Sequence, residues 1–184
     1  MTTHRSTGPT PAPRLLRVRR RPGTEPHLGL LGVAGLTVPC ALGRSGLTRF
    51  KREGDGATPV GRFALLAGHW RSDRALPPGG PLTLTPIRAD DGWCDDPTDG
   101  RYNRPVRLPF AGSHETMRRA DHLYDVVIVL DANVRRRAIG RGSAIFFHLA
   151  RERLEPTAGC VALRPGDMRR VLARLGRHPM MVIG

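Results

Sequence analysis

The sequence predicts a mostly β domain, sandwich-like, with one or two helices. Three observations carry that reading. Glycine (22) and proline (17) are abundant in a chain of 184 residues, which suits short strands joined by many turns. Apolar residues recur in short alternating or β-branched runs, the pattern of strands half or fully buried. Helical spacing is confined to two stretches, His114 to Leu123 and Pro165 to Leu175. With 39% hydrophobic residues, the chain carries enough apolar material for one compact core.

In chain order, Met1 to Pro13 is rich in Pro, Thr and Ser without periodicity and reads as a disordered tail, residues 1–13. Residues 14–184 read as a single domain. Leu15 to Arg20 alternates apolar and basic residues, as a partly exposed first strand does. Leu28 to Val33 and Leu36 to Leu42 read as two strands about Gly35, and a glycine-rich loop then leads to a strand over Gly61 to Trp70. Leu82 to Ile87 alternates with period two. Arg88 to Val106 is the longest polar segment and is expected to be loop, a solvated lid over a site. For His114 to Leu123 the expectation is a helix with Ser113 as N-cap and Glu115 in its first turn. Asp125 to Asp131 and Ala144 to Leu149 read as buried strands. Pro165 to Leu175 is a helix with Pro165 in the first turn and Met168, Val171, Leu172 and Leu175 as its apolar stripe. Met180 to Ile183 closes the chain as a strand.

The formal charge is +14, and all basic residues except Lys51 are arginines. Arginine's planar fork suits carboxylates and phosphates, so nucleic acid, an anionic membrane and an acidic wall polymer are all admitted; a GC-rich codon bias would give the same excess. The charge is dispersed and few aromatics accompany it to stack on bases, which weighs against nucleic acid. Leu28 to Leu42 has some features of a signal peptide, yet Glu25, Pro26 and His27 separate it from the preceding arginines, and glycines and a proline interrupt it. It reads better as strands, and it is too short to be a transmembrane segment. Nothing in the residues specifies an oligomeric state.

Cys40, Cys94 and Cys160 lack the paired spacing of a zinc site. Cys40 and Cys94 are read either as a disulfide or as two inert buried thiols. Cys94, Asp95, Asp96 and Asp99, with His114, are too irregular for a calcium loop; no metal or other cofactor is expected. Cys160 and His148 are the chemical candidates. On the predicted strand His148 shares a face with Phe146 and Ala144, while Phe147 and Leu149 point into the core. Gly159 removes bulk beside the thiol and permits a strained turn, where the N–H groups of Gly159 and Cys160 are read as donors to an oxyanion. An adjacent imidazole raises the reactivity of a thiol. Taken alone, "CVAL" is read slightly better as one more core strand with a buried cysteine.

Two ordered motifs change that balance. His148 followed by Thr157-Ala158-Gly159-Cys160 and an aliphatic residue, with the upstream turn Thr58-Pro59-Val60-Gly61-Arg62-Phe63, resembles the L,D-transpeptidase (YkuD-like) catalytic domain over roughly Leu28 to Leu163. The resemblance implies a peptidoglycan L,D-transpeptidase that works on donor and acceptor stem peptides at the cell envelope or periplasm; a cytoplasmic protein is the alternative, since no clear signal is present. It implies Cys160 as nucleophile, His148 as base oriented by a backbone carbonyl, and Gly159 and Cys160 N–H groups on the oxyanion. The chain departs from the family pattern at Ala158, where a histidine is common, at Ala162, where an arginine is common, and at Leu149, often glycine or serine. Arg141, Arg151 and Arg164 are the candidates to replace that arginine on a substrate carboxylate, and Thr157 and Tyr124 are further candidates to line the cleft. Two other functions are weighed: a thiol-dependent amide hydrolase of the wall on the same scaffold, and a basic, non-catalytic module binding nucleic acid or anionic glycan.

Overall fold

A computed structural model describes residues 15–184, so the tail read over residues 1–13 lies outside the described residues. Among the described residues fourteen strands and one helix form: β1 (Leu15–Arg20), β2 (Leu28–Val33), β3 (Leu36–Ala41), β4 (Leu47–Thr48), β5 (Thr58–Pro59), β6 (Gly61–Trp70), β7 (Leu84–Pro86), β8 (Asp91–Cys94), β9 (Arg104–Arg107), β10 (His114–Thr116), β11 (Val126–Leu130), β12 (Phe146–Leu149), β13 (Val161–Leu163), α1 (Pro165–Leu172) and β14 (Met180–Ile183). The mostly β expectation holds. The large sheet runs β11-β12-β13-β3-β2-β1-β14-β6-β7, and β11 also pairs with β6. That second pairing closes eight of the strands into a ring, with β7 an added edge, a continuity that the sandwich-like reading did not contain.

Alternation sends Leu16, Val18, Leu31, Val33, Ile128, Leu130, Phe147 and Leu163 into the main core, and Met168, Val171 and Leu172 of α1 join them. The helix stops at Leu172, three residues before the predicted end, yet Leu175 is still buried in the same core. Leu28 to Ala41 is the β2–β3 hairpin in the middle of the sheet, turned by Ala34 and Gly35, both at positive φ. This bears out the strand reading of that segment. Cys40 and Cys94 are free thiols, so no disulfide joins them.

Two expectations are corrected. Arg88 to Val106 is not all loop: β8 and β9 pair within it, and β10 joins β8 to make a second, three-stranded sheet. Consequently His114 to Leu123 forms no helix. Its first residues pair as His114↔Cys94 and Glu115↔Trp93, and its buried members Met117 and Leu123 pack on the second core, a spacing of six that one helical face does not provide. Tertiary pairing outweighs a modest local propensity. The small sheet is therefore less a lid than a backing wall: Trp93 packs edge-on to Phe146, ring centroids 5.3 Å apart, and shares a core with Tyr124, Val127, Phe146 and Cys160.

Candidate active site

Strand register brings the predicted pair together. β12 and β13 are parallel, with Phe147↔Val161, His148↔Ala162 and Leu149↔Leu163. Side chains alternate along each strand, so Phe146, His148, Cys160 and Ala162 share one face. Phe147, Leu149, Val161 and Leu163 take the other and are buried in the main core. Ala144 lies just outside β12, at φ +50, so the predicted strand begins two residues late.

The turn that presents Cys160 is held by two threonines. The Thr157 hydroxyl donates to the Cys160 carbonyl (2.8 Å) and accepts from the Gly159 N–H (3.1 Å). Thr58, fully buried, donates to the same carbonyl (3.3 Å) and accepts from the Gly43 N–H (2.8 Å). The two motifs are thus in contact, since Thr58 belongs to the Thr-Pro turn. Gly159 is at φ +140, and a Cβ there would lie 2.9 Å from the Ala57 carbonyl oxygen. The Gly159 N–H, read from sequence as an oxyanion donor, is already spent on Thr157. Among the described residues no partner is found for the Cys160 N–H.

Cys160 Sγ accepts from the Phe146 N–H and donates to the Ala144 carbonyl, both at 3.3 Å. Ala144 is itself seated by Asn103, whose Oδ1 accepts from the Ala144 N–H (3.1 Å) and from Trp93 Nε1 (2.9 Å). The Asn103 amide donates to the carbonyls of Ala132 (3.2 Å) and Asn133 (2.7 Å). Asn103 is fully buried, at φ +55.

His148 is 6% exposed. Its Nδ1 donates to the Leu149 carbonyl at 2.8 Å, which leaves Nε2 as the nitrogen with a free lone pair. Burial holds the imidazole down to about 4, although the Leu149 carbonyl favours the cation. Burial pushes the Cys160 thiol up to about 12; the Phe146 N–H and Lys51 oppose that rise, and Glu115 adds to it. The resting pair is therefore a neutral thiol and a neutral imidazole. Tyr124 stands edge-on to His148, centroids 5.4 Å apart, and its hydroxyl donates to Glu115 (3.3 Å).

Cys160 and His148 open on a cleft of about 300 Å³ whose walls include Tyr124, Thr157 and Arg151. Three of the sequence candidates for its lining are thus there, although the Thr157 hydroxyl serves the turn and Tyr124 is mostly core. Arg141 and Arg164 are exposed and do not line the cleft: Arg141 sits in a turn on the Ala138 carbonyl, and Arg164 is the N-cap residue of α1. Cations that sequence reasoning missed are Arg44, Lys51 and Arg119, set against Glu53, Asp95 and Glu115. Arg119 is paired with Asp121 (2.7 Å) and lies over the Tyr124 ring (5.1 Å). Lys51 had one visible signal, as the single lysine of an arginine-rich chain. Among the described residues no group of three or more His, Cys, Asp or Glu side chains is placed to hold a metal ion. Asp96 and Asp99 instead serve local turns, through Thr98 and Arg101.

A β-rich ring presents a cysteine from a Thr-x-Gly-Cys turn beside a strand-borne histidine, so the fold and site define a β-rich domain with a cysteine–histidine pair in one cleft. The family model described as the YkuD L,D-transpeptidase catalytic domain matches residues 31–183, and the chain belongs to that family. No curated protein matches the chain.

Proposed function

We propose that the protein is a peptidoglycan L,D-transpeptidase with Cys160 as nucleophile and His148 as general base. The observation that carries the reading is the shared face of Cys160 and His148 on two adjacent strands, open to one cleft, in a chain of this family. A thiolate–imidazolium pair is strongly disfavoured at rest, because burial opposes both charges. The thiol proton therefore passes to His148 Nε2 as sulfur attacks the stem-peptide carbonyl, and Leu149 holds Nδ1 throughout. The oxyanion is received by the Cys160 N–H. Collapse breaks the amide bond, His148 returns the proton to the departing D-alanine amine, and a thioester remains. An acceptor amine attacks that thioester, loses its proton to His148 and releases the Cys160 thiol with a new cross-link. Peptidoglycan is assembled outside the cytoplasmic membrane, so this reading assigns the protein to the cell envelope.

Intact-mass spectrometry of the protein with a purified stem tetrapeptide tests the reading. An acyl adduct on Cys160, absent in Cys160→Ala, is expected; an adduct on Cys40 or Cys94, or none, defeats it. Products separate the two acyl-transfer chemistries: cross-linked dimers mean transfer, and shortened monomers mean hydrolysis.

A further inference from the structure

Gly159 closes one side of the oxyanion site, because its N–H is bound within the turn by Thr157. The glycine-rich loop before β5 brings a different group to that side. The Lys51 side chain is 11% exposed, and two glycines clear its path. A Cβ at Gly142 would lie 2.9 Å from Lys51 Cγ and Cε, and one at Gly159 would lie 3.5 Å from Lys51 Nζ. The ammonium thus ends beside the backbone of the nucleophile turn, and Lys51 lines the same cleft as Cys160. Nζ donates to the Arg52 carbonyl (3.1 Å) and to the Asp55 carboxylate. An ammonium has three N–H groups, and the third has no partner among the described residues. Asp55 is in turn anchored by the N–H groups of Arg52 (2.8 Å) and Ala57 (2.9 Å). The loop therefore holds the charge in one position instead of letting it snorkel to solvent.

We propose that Lys51 supplies the positive charge that stabilises sulfur and oxyanion during acyl transfer at Cys160, the task that the bound Gly159 N–H cannot perform. The proposal rests on the reading of Cys160 as nucleophile. An ammonium fixed at a water-poor site stabilises developing negative charge without reorganising. The other charged or titratable groups facing the thiol's cleft are Glu53 and Arg44 from the same side, Asp95 and Glu115 from the small sheet and its loop, Arg119, Tyr124, His148 from β12, and Arg151 and Glu155 from the segment that follows it. Of these Glu115 opposes Lys51 at Cys160, so the two give variants of opposite sign.

The test uses iodoacetamide on the native full chain at a fixed mildly alkaline pH, with peptide mass spectrometry to read the alkylation rate at Cys160 alone. Lys51→Met keeps the apolar stem over Gly142 and removes the charge; it is expected to slow alkylation by roughly three- to tenfold, the size of a shift of up to one pKa unit. Lys51→Arg is expected to keep most of the rate, and Glu115→Gln to raise it. Should Lys51→Met fail to fold, Lys51→Gln removes the same charge and retains a donor for Asp55. A charge-removing variant that alkylates as fast as the parent, while Glu115→Gln still accelerates, overturns the assignment. Iodoacetamide needs no stem peptide, so this result is independent of the acyl-enzyme measurement. If alkylation responds as expected and no stem peptide acylates Cys160, the electrostatic role stands and the substrate reading fails.

Discussion

Asn103→Leu is the perturbation that most directly tests how the fold seats Cys160. All of the Asn103 hydrogen-bonding capacity is used: two carbonyls accept from its amide, and its oxygen accepts from Trp93 Nε1 and the Ala144 N–H. Leucine keeps the branched shape, is somewhat bulkier, and satisfies none of them. Each of the two orphaned donors costs about 1–3 kcal/mol when buried. The carbonyls of Ala132 and Asn133 lose less, because each retains a second lone pair. The backbone at Asn103, φ +55, tolerates asparagine and adds about 1 kcal/mol against leucine. The expected loss is about 3–7 kcal/mol, comparable with the whole stability of many domains. Urea unfolding followed by far-UV circular dichroism measures it. Thiol alkylation under native conditions gives a second readout, because Ala144, freed from Asn103, no longer holds its carbonyl on the Cys160 thiol. A loss under about 1 kcal/mol with unchanged Cys160 reactivity would refute the view that this buried amide couples the small sheet to the site.

Two further substitutions probe the histidine and the turn that presents Cys160. His148 is held at about 4 against an ordinary 6.5, so its folded-state pKa is depressed. Between those values the unfolded chain takes up the proton and the folded one does not, and stability falls as pH falls, by about 3 kcal/mol at pH 4. In His148→Gln that contribution is absent. The stability difference between parent and variant, read from urea midpoints at pH 7 and pH 4.5, is expected to shift toward the variant in acid; a pH-independent difference would contradict the burial of a neutral imidazole. Gly159→Ala adds a methyl group 2.9 Å from the Ala57 oxygen at φ +140, and is expected to cost about 2–3 kcal/mol by strain. The Thr157–Cys160 turn must then move off Thr58, so acylation of Cys160 is expected to fall with it. A variant with the parent's melting temperature and acylation rate would show that the glycine is not required.

Much of this fold is legible because its strands obey one pattern each. Gly61 to Trp70 and Met180 to Ile183 coincide with β6 and β14, and the β-branched run after Asp125 is β11. The small sheet is not legible, because β8, β9 and β10 are short and polar, and their pairing is set by partners in neighbouring segments. Only Trp93 and Val106 give β8 and β9 large buried apolar side chains, too few to show a period. The candidate pair was legible through local chemistry, a histidine on an apolar strand and a cysteine after Thr-Ala-Gly. The loop residues around it were not. Nothing in sequence spacing indicates that a loop folds Lys51 back against Gly159, or that Asn103 reaches Ala144.

The position two after Cys160 carries alanine, and the cations of the cleft come from such loops instead. Ala162 is fully buried and in register with both His148 and Ala41. A long side chain at that position would occupy the cleft floor beside the imidazole. With alanine there the floor is open, and the cations come from the walls: Arg44 and Lys51 from the loop that ends at Thr58, Arg151 from the segment that follows β12, and Arg119. Two of these are already bound. Arg119 is held by Asp121 and Glu115, and Lys51 is held by Asp55 against the turn. Arg151 is half exposed and 3.7 Å from the exposed Glu155, a contact weak enough to exchange for a substrate carboxylate. On the proposed reading, charge at Cys160 and charge for the substrate would fall to different residues, where an arginine two positions after the cysteine would serve from the floor itself.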